Sequence, residues 1–135
     1  MRVVLDTNVL VSALWSANNR LAQILTMVIE GFLLPCYNTE IMQEYQEVLS
    51  RPHLAFRFAE AKVDEILDKI RVDGLCITVA PSTIPFVDED DRCFFDVAEA
   101  CGAILVTGNA KHYPNVEFVM TPAQFLEYSL DNLST

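Results

Sequence analysis

The sequence predicts an α/β fold built on a mostly parallel sheet with helices on both faces. Three observations predict it. Short apolar runs alternate with helix-periodic segments along the chain. Gly31, Gly74 and Gly102 each stand between a helical pattern and the apolar run that follows. Ala103-Ile104-Leu105-Val106-Thr107 is apolar without alternation, as a strand buried on both faces requires.

Taken in order, Val3-Val4-Leu5 reads as a buried strand running straight into Asp6-Thr7-Asn8, after which a helical pattern begins. Leu21, Ile24, Leu25 and Val28 follow helical spacing, Gly31 ends that helix, and Phe32-Leu33-Leu34 opens a second strand. Asn38 or Thr39 caps a helix whose apolar stripe is Ile41, Tyr45, Val48 and Leu49, broken at Arg51-Pro52. Val63, Ile66, Leu67 and Ile70 form the stripe of another helix, and Leu75-Cys76-Ile77-Thr78-Val79 reads as the next strand. A loop carrying Pro81, Ser82, Thr83 and Pro85 leads to Asp88-Glu89-Asp90-Asp91 and a helix buried through Phe94, Val97, Ala98 and Cys101. The strand at 103–107 follows Gly102. A last strand is expected between Val116 and Val119, and Thr121-Pro122 opens a final helix through Phe125 and Leu126.

At 135 residues and 52% hydrophobic content, one domain spanning residues 1–135 is expected. No run approaches the roughly 20 apolar residues of a membrane span, and Met-Arg-Val-Val-Leu-Asp reaches an acid too early for a signal peptide, so a soluble cytoplasmic protein is expected. Cys36, Cys76, Cys93 and Cys101 form no Cys-x-x-Cys pair and read as reduced core thiols. The net charge of −10 argues against a general grip on nucleic acid. It leaves a nuclease open, because acids gathered around divalent cations count as negative until the metal neutralises them. Glu60, Asp64, Glu65 and Asp68 read as an ordinary solvated helix face.

Strands in such a fold deliver functional groups at their carboxyl ends. Asp6 ends the first strand, Asp91 begins a helix after a strand and loop, and Thr107-Gly108-Asn109 follows the strand at 103–107. Two readings of Asp6 stand: a site carboxylate, or an N-cap of the helix after it. Asp91 lies three residues before Phe94 and seven before Ala98, at the end of the stripe that faces the sheet, so its carboxylate is expected to point inward. Glu44 borders a buried face beside Tyr45, although by itself it reads as a surface acid. Carboxylates from separate elements suit Mg2+ or Mn2+, which take hard oxygen ligands and assist in-line phosphoryl chemistry.

These segments resemble the PIN-domain family. The resemblance rests on the strand with Asp6-Thr7-Asn8, on Glu44 ahead of Val48-Leu49-Ser50-Arg51-Pro52, on the acidic turn into the Phe94–Ala98 helix, and on Leu105-Val106-Thr107-Gly108-Asn109. It covers nearly the whole chain. It implies a three-layer α/β/α sandwich with a mostly parallel central sheet and Mg2+- or Mn2+-dependent endoribonuclease activity. It further implies an RNA substrate, a cognate antitoxin protein as partner, and a homodimer. Carried over residue by residue, it implies Asp6, Glu44 and Asp91 as catalytic metal ligands, with Asn8, Thr107 and Asn109 as supporting polar groups. Asn109 is a departure, because the family often has Asp there and an amide offers a neutral oxygen where a carboxylate would bring charge.

Asp88, Glu89, Asp90 and Asp96 read as loop or solvent-facing acids. Arg51, Arg57, Arg92, Lys111 and His112 are the candidate phosphate contacts, against the plainer reading of surface charge; His53 reads as exposed. Trp15 and Tyr113 read as core or interface residues ahead of base stacking. Two alternatives remain: a non-catalytic PIN-like module binding RNA or protein, its metal site weakened by Asn109, and a phosphotransfer domain using Asp6. The second is disfavoured because Asn8 stands where an Asp-x-Asp pair would place its second acid, and no phosphate-cradling glycine loop is present.

Overall fold

The computed structural model describes residues 1–15, 20–52 and 60–133, except the side chains of residues 60 and 133. The readings of His53 and Arg57, and of the Glu60 side chain, fall outside what it describes. In chain order the elements are β1 Arg2–Leu5, α1 Thr7–Trp15, α2 Arg20–Ile29, β2 Leu34–Tyr37, α3 Thr39–Leu49, α4 Glu60–Asp73 and β3 Leu75–Cys76. After a loop and a short 3-10 turn, Glu89–Asp91, come α5 Arg92–Cys101 and β4 Ile104–Val106; a second such turn, Ala110–His112, precedes β5 Val119–Met120 and α6 Pro122–Leu133.

The five strands form one sheet in the order β3-β2-β1-β4-β5, and every pairing is parallel. With its helices the sheet makes an α/β/α fold, as the resemblance implied. Val3, Val4 and Leu5 of β1 and Leu105 and Val106 of β4 are essentially inaccessible to solvent, which accounts for their unbroken apolar sequence at the centre of the sheet. Their register, Val3 to Ile104, Val4 to Leu105 and Leu5 to Val106, brings the two strands to their carboxyl ends together. From β1 the chain proceeds outward to β2 and β3, then returns to lay β4 and β5 on the other side. The order therefore reverses between β1 and β4, where open parallel sheets leave a crevice for ligands.

Several boundaries differ from expectation for local reasons. β2 starts at Leu34, because the amides of Phe32 and Leu33 both bond to the Met27 carbonyl and complete the end of α2, with Gly31 at φ +86°. β3 stops at Cys76, short of Val79. Its neighbour β2 ends at Tyr37, where Asn38 caps α3 by accepting the Ile41 amide, and the Ile77 amide on the Tyr37 carbonyl is the last rung. β5 is only Val119–Met120, because Val116 is held in a turn by Pro114. Cys36 and Cys101 are buried and Cys93 partly so, but Cys76 is exposed on the edge strand, which corrects its reading as a core residue. All four thiols are free. Among the described residues, no helix is long and apolar enough to cross a membrane.

Candidate active site

Asp6 sits where β1 becomes α1, and its main chain and side chain do separate jobs. Its amide bonds to the Val106 carbonyl at 3.0 Å, the last link between β1 and β4, while its own carbonyl accepts the amides of Val9 and Leu10 and so starts the helix. Among the described residues the carboxylate makes no capping bond. Its Oδ2 accepts the Thr107 hydroxyl at 2.7 Å and the Tyr113 hydroxyl at 3.2 Å, all three side chains being buried. Thr107 is held in turn at the end of β4, its amide on the Met120 carbonyl and its Oγ accepting the Asn109 amide at 3.0 Å.

Asp91 stands at the join of the Glu89–Asp91 turn and α5. Capping is done by Asp88, whose side chain accepts the Asp90 amide, so Asp91 is released from that role and makes no side-chain cap bond. Its Oδ1 lies 3.4 Å from the Tyr113 hydroxyl. Its Oδ2 is buried with no hydrogen-bond partner among the described residues, and His112 Nδ1 stands 3.6 Å from it. One phenol thus joins Asp6 and Asp91.

Glu44 reaches the same edge from α3. Tyr45, next to it, is fully buried and donates its hydroxyl to the Leu5 carbonyl, which anchors α3 against the end of β1. Glu44 itself is partly buried, and its Oε2 accepts the Thr7 hydroxyl. Burial raises the Glu44 carboxyl above the ordinary range; the Thr7 hydrogen bond opposes the shift, and Asp6, Asp90 and Asp91 add to it. Burial also raises Asp91, with Asp6 and Asp88 adding to it and His112 and Tyr113 opposing it.

These shifts have a thermodynamic sign. A carboxyl whose folded pKa is raised holds its proton longer in the folded state, so the stability it contributes is present at low pH and lost as pH rises through the folded value. The metal-free protein should therefore lose stability from these two groups as pH rises from the ordinary carboxylate range through their raised folded values, and Mn2+ above that range should recover part of the loss. Thermal denaturation of wild type and Asp91→Asn checks this. The variant should have the shallower pH dependence, and equal slopes would refute the assignment.

Of the supporting residues, Thr107 is in the hydrogen-bonded cluster. Asn109 contributes its amide to Thr107 while the residue itself is exposed, and Asn8 is exposed on the first turn of α1. The basic candidates separate. Arg51 lies two turns beyond Glu44 and pairs with Glu47. Arg92 is committed to Glu89 through two nitrogens and to the Ser82 carbonyl through a third, with its guanidinium 5.0 Å from the centre of the Phe86 ring. Lys111 and His112 are exposed beside Asp91 and Tyr113.

Two readings need correction. Asp96 is only 7% exposed and is not a solvent-facing acid: its Oδ2 accepts the Ser82 amide at 2.9 Å and pins the loop before the acidic turn. Of the two readings of Trp15, core or interface, the core one falls, because the residue is 48% exposed. Thr7 and Tyr113 are the residues that sequence reasoning missed as parts of this site. A hydroxyl directly after Asp6, and another four residues after Asn109, were the available signals, but neither falls in an apolar period that would mark its direction.

Asp6 and Asp91 fit a divalent cation. Both are hard oxygen donors, and an unbonded buried carboxylate oxygen calls for a cation or proton to satisfy it. Among the described residues, no three acidic, histidine or cysteine side chains are gathered closely enough to hold one ion together. The pair therefore forms the centre of the site, with Glu44 standing off on Thr7.

Asp6 and Asp91 stand at the switch point of a parallel α/β sheet, where such folds bind ligands beyond their strand ends. Residues 2–111 match the PIN domain, and the chain belongs to the PIN-domain family. PIN domains are generally nucleases that act on RNA or DNA and typically use divalent metal ions. The chain is also similar to the uncharacterized protein MJ1680 of Methanocaldococcus jannaschii, 30% identical over 112 residues, covering 81% of this chain and 71% of that protein.

Proposed function

We propose that this chain, as one domain over residues 1–135, is a Mg2+- or Mn2+-dependent endoribonuclease and the toxin of a toxin–antitoxin pair. The observation that carries the reading is the unbonded, buried Oδ2 of Asp91 beside a carboxylate contributed by β1. Asp6 and Asp91 would hold the cation and Glu44 would complete its environment. Bound there, Mg2+ or Mn2+ supplies Lewis acidity toward the phosphate and lowers the pKa of water to make a nucleophile. Thr107 fixes the Asp6 carboxylate, and Thr7 donates its hydroxyl to the Glu44 carboxylate. Lys111 and His112, both exposed, would contact the RNA backbone, whereas Arg92 and Arg51 are engaged by Glu89 and Glu47. The protein is taken to act in the cytoplasm, with a cognate antitoxin as partner and as a homodimer.

The test is cleavage of a mixed single-stranded and structured RNA pool with Mn2+, Mg2+ or EDTA, with DNA of the same sequences alongside. Cleavage of RNA that EDTA abolishes is expected. The exposed Asn109 favours a second reading, a binding module that has lost chemistry through this amide. The two readings diverge in Asn109→Asp. A working nuclease should cleave as wild type and change by less than about tenfold on gaining the acid, a difference of about 1.4 kcal/mol in barrier. Cleavage that appears only in the variant would establish the binding module.

A further inference from the structure

The Tyr113 side chain is held from two directions. It follows the Ala110–His112 turn, where its amide bonds to the Ala110 carbonyl at 3.2 Å, and its ring meets Phe86 edge-on with centroids 6.1 Å apart. Phe86 packs in turn on Phe95 at 5.7 Å. Behind these rings the phenol reaches the carboxylates of Asp6 and Asp91. The hydroxyl has one proton and two anionic acceptors, at 3.2 and 3.4 Å. Both contacts are to particular oxygens, Oδ2 of Asp6 and Oδ1 of Asp91, and the buried Oδ2 of Asp91 has no hydrogen-bond partner among the described residues.

The geometry points to Tyr113 as a positioning residue of the cation site: its hydroxyl ties one oxygen of Asp6 and one of Asp91, and so orients both carboxylates to present the other oxygen to a divalent cation. This rests on the metal-dependent reading above. The phenol leaves an oxygen on each acid for the ion, because among the described residues its contacts are to Oδ2 of Asp6 and Oδ1 of Asp91 alone. Burial first, then the two carboxylates, keep the proton on the phenol, so it remains a donor at neutral pH. Without it, Asp6 retains Thr107 but Asp91 loses its hydroxyl donor. The Asp91 carboxylate is then left with His112 as its neighbour at 3.6 Å, and like charge drives it from Asp6. A cation must then collect two ligands that were previously held together.

The experiment is calorimetric titration of MnCl2, without RNA, into the full chain as wild type, Asp6→Asn and Tyr113→Phe, with melting temperatures of the metal-free proteins. Tyr113→Phe keeps the ring against Phe86. The expected result is Mn2+ binding by wild type, its loss in Asp6→Asn, and a Kd raised about tenfold in Tyr113→Phe, the effect of removing a group that orients a metal ligand. A purely structural hydroxyl would lower the melting temperature and leave the Kd alone. An unchanged or tighter Kd in Tyr113→Phe therefore overturns the positioning role while the cation site stands. Failure of wild type to bind Mn2+ overturns both.

Discussion

Asp6→Asn should lower the rate of RNA cleavage by about a thousandfold, about 4 kcal/mol in transition-state stabilisation, while the protein stays folded. The substitution nearly preserves shape. An amide oxygen can still accept the Thr107 hydroxyl that now bonds Oδ2 at 2.7 Å, so the link between the ends of β1 and β4 persists. The main-chain bonds of residue 6, to Val106, Val9 and Leu10, do not involve the side chain at all. What is lost is one negative charge at a place where the cation needs it. Removing that charge also relieves its repulsion of Asp91, so the metal-free variant should melt at the same temperature as wild type or higher, a trade of stability against function. Cleavage assays with Mn2+ beside thermal denaturation check both halves. Activity within tenfold of wild type would remove Asp6 from the catalytic set.

The largest effect on stability is expected from Gly74→Ala. Gly74 ends α4, and its amide bonds to the Ile70 carbonyl at 3.0 Å. A Cβ at this position would overlap that same carbonyl oxygen and stand 2.7 Å from the carbonyl oxygen of Pro35 in β2. Both obstructing atoms are backbone, so no rotamer change relieves the overlap. Either the last turn of α4 opens or β3 moves off β2, and the cost should be about 3 kcal/mol. Gly102 is the useful contrast. At φ +62° with open space around a would-be Cβ, Gly102→Ala pays only for left-handed backbone, about 1 kcal/mol. Chemical denaturation of the two variants should rank them in that order; equal losses would mean that the approach of α4 to β2 is looser than described.

Much of the architecture was legible because burial follows chain period. Val3–Leu5 of β1 and the whole of β4 are uninterrupted apolar runs, and both faces of the sheet are covered there. The stripe of Phe94, Val97, Ala98 and Cys101 is buried together, and Asp91 at its head turns inward by the same geometry. The placement of Asp6 and Thr107 at adjacent strand ends follows from a parallel sheet with β1 beside β4. Strand lengths were less legible, because a strand lasts only as long as its neighbour offers partners. The sequence of residues 75–79 suits a strand throughout, yet β3 ends where β2 turns into the cap of α3.

The site divides along the same line. The fold class, the buried stripes and the edge of the sheet to which the acids are delivered are all written in the spacing of neighbouring residues. What those acids touch is set by packing. Tyr113 lies 107 residues from Asp6 and 22 from Asp91, and their meeting depends on a turn, an aromatic wedge and the order of five strands. Arg92 reads from sequence as a cation beside the site, but its guanidinium is consumed by Glu89 and Ser82. Asp96 reads as a surface acid, but it holds a loop from inside. Hydrogen bonds between distant side chains have no period along the chain, so the partners of a polar group are settled only when the elements pack.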